Sequence, residues 1–478
     1  MRARILAEEN KKWWTLGALA FALFMIMLDN TVVNVALPSI QRDLGIGLSE
    51  LEWTVNAYAL TFAVLMLTGG KLADFVGRRR VFLVGLAIFT LSSLLCGLAT
   101  SGETLIAART VQGAGAALML PATLSIISAT FPPHQRGMAI GIWAGVSAMA
   151  LAIGPLIGGL LTEHVDWSWI FFVNVPVGIL GFVIGRLVIQ ESRDTSEEQR
   201  LDLPGLTASA VGLFALTFAL IEANSYGWSD PVIVGLFVLA AVALAVFVWL
   251  ERHQRAPMLD LSLFRSGTFA GANVVALLVT LAMFGVFFFM SIYMQNVLGY
   301  SAVRTGAAFL PMTLLIILVA PAAGKLSDRV GSRWLIAGGM TLVSVSLIVF
   351  SRLDAGSGFW DFFPGLVVGG LGIATVMTPV TAAALGSVPV AKAGVGSGVL
   401  NTFRQVGGAL GIAVMGAIVA AYVDLEGGGR PDPGSFIDGF QTALRVGAGF
   451  ALLGALVAAA AIRRHRHLDS AEMAEAPA

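Results

Sequence analysis

Three ionisable side chains lie inside long apolar runs, where they are the residues most able to carry chemistry. Asp29 lies in the first run, Arg109 lies in the fourth, and Glu222 ends the seventh. An ionised carboxylate at the centre of a membrane helix costs on the order of 2.5–3.5 kcal/mol on insertion scales, so it normally faces a cavity, pairs with a cation or binds a proton. The chemistry expected of such residues is therefore the binding and release of protons.

Asp29 and Arg109 can lie at one depth in the membrane. Asp29 stands eight residues before Leu37, and Arg109 stands five residues after Thr104. At about 1.5 Å per residue, both fall roughly 8–12 Å from the same boundary. A nearby arginine favours the charged carboxylate and burial disfavours it, so a change between these environments would load and unload a proton. The alternatives are a structural ion pair, an acid in an aqueous vestibule, and an arginine that only joins helices.

Glu222 falls near the outer face of the membrane if its helix begins at about residue 204. There it is either a second site for a proton or a cation, or an acid whose side chain reaches interfacial water. The sequence leaves both interpretations open.

Two charged stretches nearly repeat one another 254 positions apart. Gly70–Arg79 and Gly324–Arg333 place Gly, Lys, Leu, Asp and Arg at the same offsets, and each stretch stands between two apolar runs. The repeat predicts a transporter built from two related halves, with both turns on the cytoplasmic side. Contacts of their charged residues would form in one conformation and break in another. The gating residues predicted here are Lys71, Asp74, Arg78, Arg79, Asp328, Arg329 and Arg333.

The fifth apolar run contains a glycine- and proline-rich segment in its outer half. Gly154, Pro155, Gly158 and Gly159 stand within six positions. Proline removes a backbone donor, and glycine lets helices approach closely, so the segment can bend and pack at a moving interface. Ordinary glycine-rich helix packing is the alternative.

The composition is that of a polytopic membrane protein. Of 478 residues, 57% are hydrophobic and 12% are charged, and the mean hydropathy is +0.85. Fourteen runs of roughly 18 or more mostly apolar residues predict fourteen transmembrane helices in an all-α fold. We expect a six-helix bundle at 1–190, two inserted helices with linkers at 191–265, a second six-helix bundle at 266–463 and a cytoplasmic tail at 464–478.

Basic residues predict the orientation, because the side rich in Lys and Arg stays in the cytoplasm. Every second connection is basic, which fits an even number of helices with both termini cytoplasmic. The opposite connections carry mostly acids, among which we place Glu50, Glu52 and Glu163. The 29 basic and 29 acidic residues balance, which argues against a nucleic-acid partner.

Several function classes are disfavoured by the sequence. Cys96 is the one cysteine, which excludes an intramolecular disulfide and a thiolate metal cluster. The sequence has no GxxxxGK[ST] loop, which argues against an ATP-driven pump. We find no nucleophile with a base at helical spacing and no cluster of metal-ligand residues, so we expect neither an enzyme nor a metal or cofactor site.

These motifs resemble the major facilitator superfamily and, within it, the fourteen-helix drug:proton antiporters. Leu28–Pro38 resembles the first-helix motif of that family, the Gly70 and Gly324 turns resemble the superfamily's loop motif, and Gly154–Gly159 resembles the fifth-helix motif of antiporters. Trp167–Gly178 and Asn401–Gly408 are also similar to segments of these exporters. Two departures are Phe75, where the loop motif usually carries a basic residue, and Ala150, where glycine is common. The first loop's charge network is then weaker, or it depends on Arg78–Arg80.

The resemblance implies a proton-coupled exporter in the cell membrane. Its substrates would be small lipophilic compounds, cations among them, its energy source the proton gradient, and the chain would act as a monomer. Arg109 matches the fourth-helix arginine associated with proton transfer, and Asp29 with Glu222 would carry the protons. Two alternatives remain: an exporter of one metabolite, antibiotic or siderophore on the same fold, and a membrane sensor that transports nothing.

Overall fold

The computed structural model describes residues 8–193, 202–254, 257, 259, 261–388, 393–422 and 433–463, apart from some individual side chains within these ranges. The described residues form α-helices, with one 3₁₀ turn at Leu261–Arg265 and one π turn at Tyr293–Val297. The predicted tail at 464–478 lies outside the described residues, and so do the first seven residues.

Among the described residues, seven helices form the first half of the chain. They are α1 Glu8–Leu44, α2 Leu48–Val76, α3 Arg78–Gly97, α4 Gly102–Thr130, α5 Pro133–His164, the short α6 Trp169–Phe172 and α7 Asn174–Val188. Two helices follow, which we call the inserted pair: α8 Leu203–Tyr226 and α9 Pro231–His253. The second half consists of α10 Gly267–Ile292, α11 Ala302–Ala308, α12 Leu310–Val330, α13 Ser332–Phe350, α14 Phe359–Gly386, α15 Ala393–Ala420 and α16 Pro433–Ala461.

The helices are long and apolar enough for a multi-pass membrane protein. Among the described residues, 12 candidate spans are present, or 13 when the two segments of α2 count as one. The α5 helix, at 32 residues, also has the length to cross a bilayer. These helices are consistent with the fourteen predicted spans.

Matching glycines make the two halves pack alike. Gly115 of α4 lies against α3 so closely that an added Cβ would come 2.6 Å from the backbone nitrogen of Phe89. A Cβ on Gly372 of α14 would likewise come 2.8 Å from the backbone nitrogen of Val343 in α13. Both distances are shorter than real Cβ contacts, so only glycine fits without a shift of the backbone. The repeat visible in the two charged turns therefore extends into the interior of each half.

The two charged stretches are mostly helical, which corrects the expectation of a charged loop. Lys71 and Asp74 lie in the last two turns of α2, and the turn itself is Gly77, with φ +129°. Gly331 takes the same place between α12 and α13, with φ +88°. Side chains strongly disfavour positive φ, so a glycine is required at each chain reversal.

The halves meet along several helix pairs, among them α1 with α10, and the inserted pair covers one of these contacts. Helix α2 packs against α15, and α5 packs against α11 and α12. Helix α8 contacts both α2 and α15, with α9 packed beside it. The inserted pair is thus placed where it adjoins both halves.

Candidate functional site

Asp29 and Arg109 form an ion pair buried inside the first half. Their exposed fractions are 0% and 1%, and Arg109 Nη1 donates to Asp29 Oδ2 at 2.5 Å. Gln112 Nε2 donates to Asp29 Oδ1 at 3.0 Å, and Gln112 Oε1 accepts from Arg109 Nη1 at 2.7 Å. The three side chains form a closed cluster in which both carboxylate oxygens have partners, as a buried charge requires.

Helix α2 supplies the other contacts of the guanidinium group. Arg109 Nε donates to the Thr54 carbonyl oxygen at 3.1 Å, and the guanidinium carbon lies 4.2 Å from the centre of the Tyr58 ring. Phe171 of α6 contributes a second aromatic face, at 5.7 Å. The positive charge is stabilised by an anion, a carbonyl dipole and two ring faces, so it can stay buried.

Two glycines of α5 pack directly on α1 beside Asp29. A Cβ on Gly154 would overlap the Thr31 hydroxyl, and one on Gly158 would come 2.8 Å from the Val32 carbonyl oxygen. Because Thr31 and Val32 follow Asp29 within one turn, a displacement of α5 acts on the helix that carries the carboxylate. The glycines predicted for a moving interface therefore lie next to the ion pair.

The same segment of α5 also contacts the second half. A Cβ on Gly159 would come 2.8 Å from the Val303 Cα, and one on Gly306 would come 2.8 Å from the Pro155 carbonyl carbon. One turn further, Glu163 Oε2 accepts a hydrogen bond from the Val303 backbone nitrogen at 2.8 Å. These contacts close the halves at the end of the molecule that holds the α1–α2 turn, here called the outer end because the charge pattern predicts that it faces outside.

The first charged turn is held by a network that extends to the end of α7. Arg78 Nε donates to Asp74 Oδ1 at 2.8 Å. Glu191 Oε1 accepts from the Arg79 backbone nitrogen at 3.0 Å, and Glu191 Oε2 lies 3.8 Å from Arg80 Nε. Phe75 is 58% exposed and joins none of these contacts. The network thus depends on Arg78–Arg80, one of the two possibilities derived from the sequence.

Other predicted gating residues have different surroundings. Lys71 Nζ donates to the Pro257 carbonyl oxygen at 2.5 Å, which connects α2 to the segment after the inserted pair. In the second turn, the Ser327 and Ser332 hydroxyl oxygens lie 2.8 Å apart, and the Arg333 guanidinium carbon lies 4.8 Å from the Trp334 ring. The side chains of Asp328 and Arg329 lie outside the described residues.

Glu222 has partners of its own at the outer end. Its Oε1 accepts from Trp53 Nε1 at 3.2 Å and from the Ser49 hydroxyl. Both donors belong to α2, the helix whose Thr54 and Tyr58 contact Arg109. The structure therefore brings Asp29 and Arg109 together, whereas Glu222 of α8 lies apart from them, against other residues of α2.

Several residues of the site were not predicted from the sequence. Gln112 stands one helical turn after Arg109, and a polar residue at that spacing in an apolar run was the available signal. Glu191 follows the last apolar run of the first half and showed no such signal. Glu52 was wrongly placed in an outer connection, because it stands at the edge of an apolar run; it lies inside α2 and is 2% exposed.

Curated proteins with sequences similar to this chain are resistance and export proteins of bacteria. The Tetracenomycin C resistance and export protein of Streptomyces glaucescens is 38% identical, over 87% of this chain and 77% of that protein. The Puromycin resistance protein pur8 of Streptomyces alboniger is 38% identical, over 94% and 91%. The Multidrug resistance protein Stp of Mycobacterium tuberculosis is 38% identical, over 86% and 76%.

Solved structures support the fold. The crystal structure of a bacterial homolog to the human lysosomal transporter Spinster superimposes with a TM-score of 0.68 at 18% identity, over 96% of this chain and 99% of that one. The Major Facilitator Superfamily model matches residues 19–412. The two related halves and the repeated turns agree with this match, and so do relatives that are 38% identical over most of both chains. The chain therefore belongs to the Major Facilitator Superfamily and is a membrane transporter.

Proposed function

We propose that this protein exports small lipophilic compounds, cations among them, from the cell, and that inward movement of protons drives the export. The observation that carries the proposal is the buried Asp29–Arg109 pair, which lies beside the α5 segment that closes the outer end. Export is supported by the relatives, whose names describe resistance to tetracenomycin C, puromycin or several drugs.

The ion pair provides a means of coupling. Arg109 and Gln112 occupy both carboxylate oxygens of Asp29, and a movement of α5 and α1 that breaks these contacts would open the carboxyl group to proton exchange. Because α5 contacts both α1 and α11, the same movement would open the outer end. Protonation of Asp29 and opening of the outer end are then two consequences of one helix displacement. Glu222 is the second acid that would bind a proton.

A cavity beside the inserted pair suits a lipophilic substrate. It has a volume of about 190 Å³ and lies between α2, α8, α9, α10 and α15. Its lining is mostly apolar and includes Val64, Leu213, Phe247, Leu277 and Phe403. Sites for drug-sized ligands are usually about 300–1,000 Å³, so this cavity accepts part of such a molecule and must widen for the whole.

The test is transport by the purified protein in liposomes with an imposed pH gradient. We expect ethidium to move with the gradient in the wild type and not in Asp29→Asn. The asparagine retains an oxygen that can accept from Arg109, so the variant should still fold, which size-exclusion chromatography checks. Asp29→Glu retains a titratable group and should recover part of the coupled transport. Undiminished proton-coupled transport by Asp29→Asn would refute the role of Asp29.

A narrow-substrate exporter is the second candidate, favoured by relatives named for single antibiotics. Competition experiments separate the two. Inhibition of ethidium transport by several chemically unrelated dyes supports a multidrug exporter. Transport of one antibiotic without any effect of the dyes supports the narrow-substrate protein.

A further inference from the structure

Glu52 is a buried carboxyl group that the proposed cycle does not use. It lies near the outer end of α2 and is 2% exposed. Within the described part of the chain, its Oε2 atom has no hydrogen-bond partner. An ionised carboxylate in such a place carries a large desolvation cost, whereas a protonated one carries much less.

Helix α15 of the second half buries Glu52. A Cβ on Gly416 would lie 2.5 Å from Glu52 Oε2 and closer still to the rest of the carboxyl group. A side chain at Gly416 would therefore displace the Glu52 carboxyl group from its present position. The carboxyl group of Glu52 is enclosed between the two halves, and separation of α15 from α2 would expose it.

The inserted pair places a second carboxyl group beside it. Glu222 of α8 contacts Ser49 and Trp53 of α2. Ser49 stands three residues before Glu52, on the same face of that helix. Both acids therefore lie against the same part of α2, and they would repel each other if both were ionised. Next to them, Asn224 Nδ2 donates to the Ala417 carbonyl oxygen at 2.6 Å, which joins α8 to α15.

The charged groups around Glu52 offer it no cation among the described residues. On α2, Glu50 is exposed and accepts from the Gly47 backbone nitrogen. The outer part of α15, residues 411–420, contains no ionisable residue. Arg109 of α4 is occupied by Asp29, Gln112 and Thr54. A buried carboxyl group with a second acid on the same helix face and no cation is costly to ionise, so Glu52 is the group expected to hold a proton.

We propose that Glu52, paired with Glu222, binds a proton from the outside, and that α15 closes over α2 only when this proton is bound. This inference rests on the proposed proton-driven export and adds a proton site that controls closure of the outer end. When the outer end is open, one proton passes from external water to the carboxyl pair. When the end opens again, the same proton can return to that water, and no other reactant is needed.

The sign of the pH dependence follows from the burial. Closure favours the protonated form of Glu52, so closure takes up a proton and the closed fraction rises as the pH falls. A glutamine at position 52 imitates the protonated carboxyl group and should keep the outer end closed at every pH. An exporter with this site would close its empty outward-open form only after a proton has entered from outside.

The experiment measures the separation of the halves. Spin labels at Asp43→Cys on α1 and Tyr422→Cys after α15, both exposed positions, report the distance by pulsed electron paramagnetic resonance. Cys96→Ala removes the native thiol, and the protein is studied full-length in nanodiscs. In the otherwise unmodified protein, we expect the long-distance population to grow as the pH rises. In Glu52→Gln we expect that growth to be lost.

Glu50→Gln is the matched control, because it removes an exposed acid two positions away and should leave the pH response in place. A distance distribution that ignores pH in the unmodified protein overturns the proposal. So does a Glu52→Gln variant with an unchanged pH response. Because the readout is a distance and not transport, failure here leaves the Asp29 test unaffected, and failure of that test leaves this result interpretable.

A second variant protects the proposal against misfolding of Glu52→Gln. In Gly416→Ala the added methyl overlaps the Glu52 carboxyl group and displaces it from its place against α15, so the long-distance population should grow at every pH. Gly449→Ala is its control, since a Cβ there meets nothing within 4 Å. A Gly416→Ala distribution identical to that of Gly449→Ala would also overturn the proposal.

Discussion

The two halves share their packing but differ in their buried charge. Gly154 packs on Thr31, and Gly407, in the second half, would place its Cβ against Thr280. Asp29 stands two residues before Thr31, and Leu278 stands two residues before Thr280, so Leu278 takes the position of Asp29.

The position of Arg109 is found in the same way. Gly113 lies against Tyr58 in the first half, and Gly370 lies against Met312 in the second. Arg109 stands four residues before Gly113, and Leu366 stands four residues before Gly370, so Leu366 takes the position of Arg109. Leu278 and Leu366 are both buried.

The comparison teaches that fold and coupling chemistry depend on different residues. Small residues at helix contacts recur in both halves, because close helix packing needs them wherever the same crossing is formed. The Asp29–Arg109 pair has no counterpart at the equivalent described positions of the other half, where Leu278 and Leu366 stand on the same scaffold. The charge is therefore not needed to build a half, which is why we assign it to coupling.

The largest effect is expected when the charged pair of the first half is broken. Asp29→Leu leaves a buried guanidinium group that cannot lose its proton. Removal of one partner of a buried pair typically costs about 3–5 kcal/mol. We expect a strong loss of thermal stability, measured by fluorescence-detected size-exclusion chromatography after heating.

The double variant Asp29→Leu/Arg109→Leu converts the first half to the pattern of the second. Stability should largely return, because no charge remains buried without a partner, whereas proton-driven transport should stay absent. If the double variant transports like the wild type, the difference between the halves has no role in coupling. If it remains as unstable as the single variant, the pair is a structural element.

An intermediate effect is expected at the shared glycines. Gly115→Ala and Gly372→Ala each force a methyl group onto a neighbouring backbone atom, and overpacking of this kind costs about 1–3 kcal/mol. The thermal unfolding temperature should fall by similar amounts in both variants. Gly338→Ala is the control, since a Cβ there has open space. A large effect in one half alone would contradict the structural equivalence.

The smallest effect is expected at the surface of the first turn. Arg80→Gln removes a contact of 3.8 Å to Glu191, and exposed ion pairs contribute about 0–1 kcal/mol. We expect stability to change little. Transport rates measured with Arg80→Gln and with Glu191→Gln then show whether the charge network of the first turn affects the transport cycle. The second turn would have to form a corresponding network with different residues.

Much of the architecture is readable from the sequence. Apolar run length predicts membrane spans, because a long apolar helix satisfies its backbone polar groups within one segment while it crosses the bilayer. The two charged stretches predict the halves, and their glycines lie at the positive-φ turns where other residues would be strained. The common depth of Asp29 and Arg109 follows from the rise per residue, and the structure places the two side chains in contact.

What the tertiary structure alone decided is which side chain faces which neighbour. Asp29 and Glu52 are both acids in or beside apolar runs, yet one meets an arginine and the other meets a glycine and a second acid. The burial of Glu52 is set by Gly416, more than 360 positions away in the sequence. Periodicity within one helix reports the polarity of its own faces, but the cost of a charge depends on the helix packed against it.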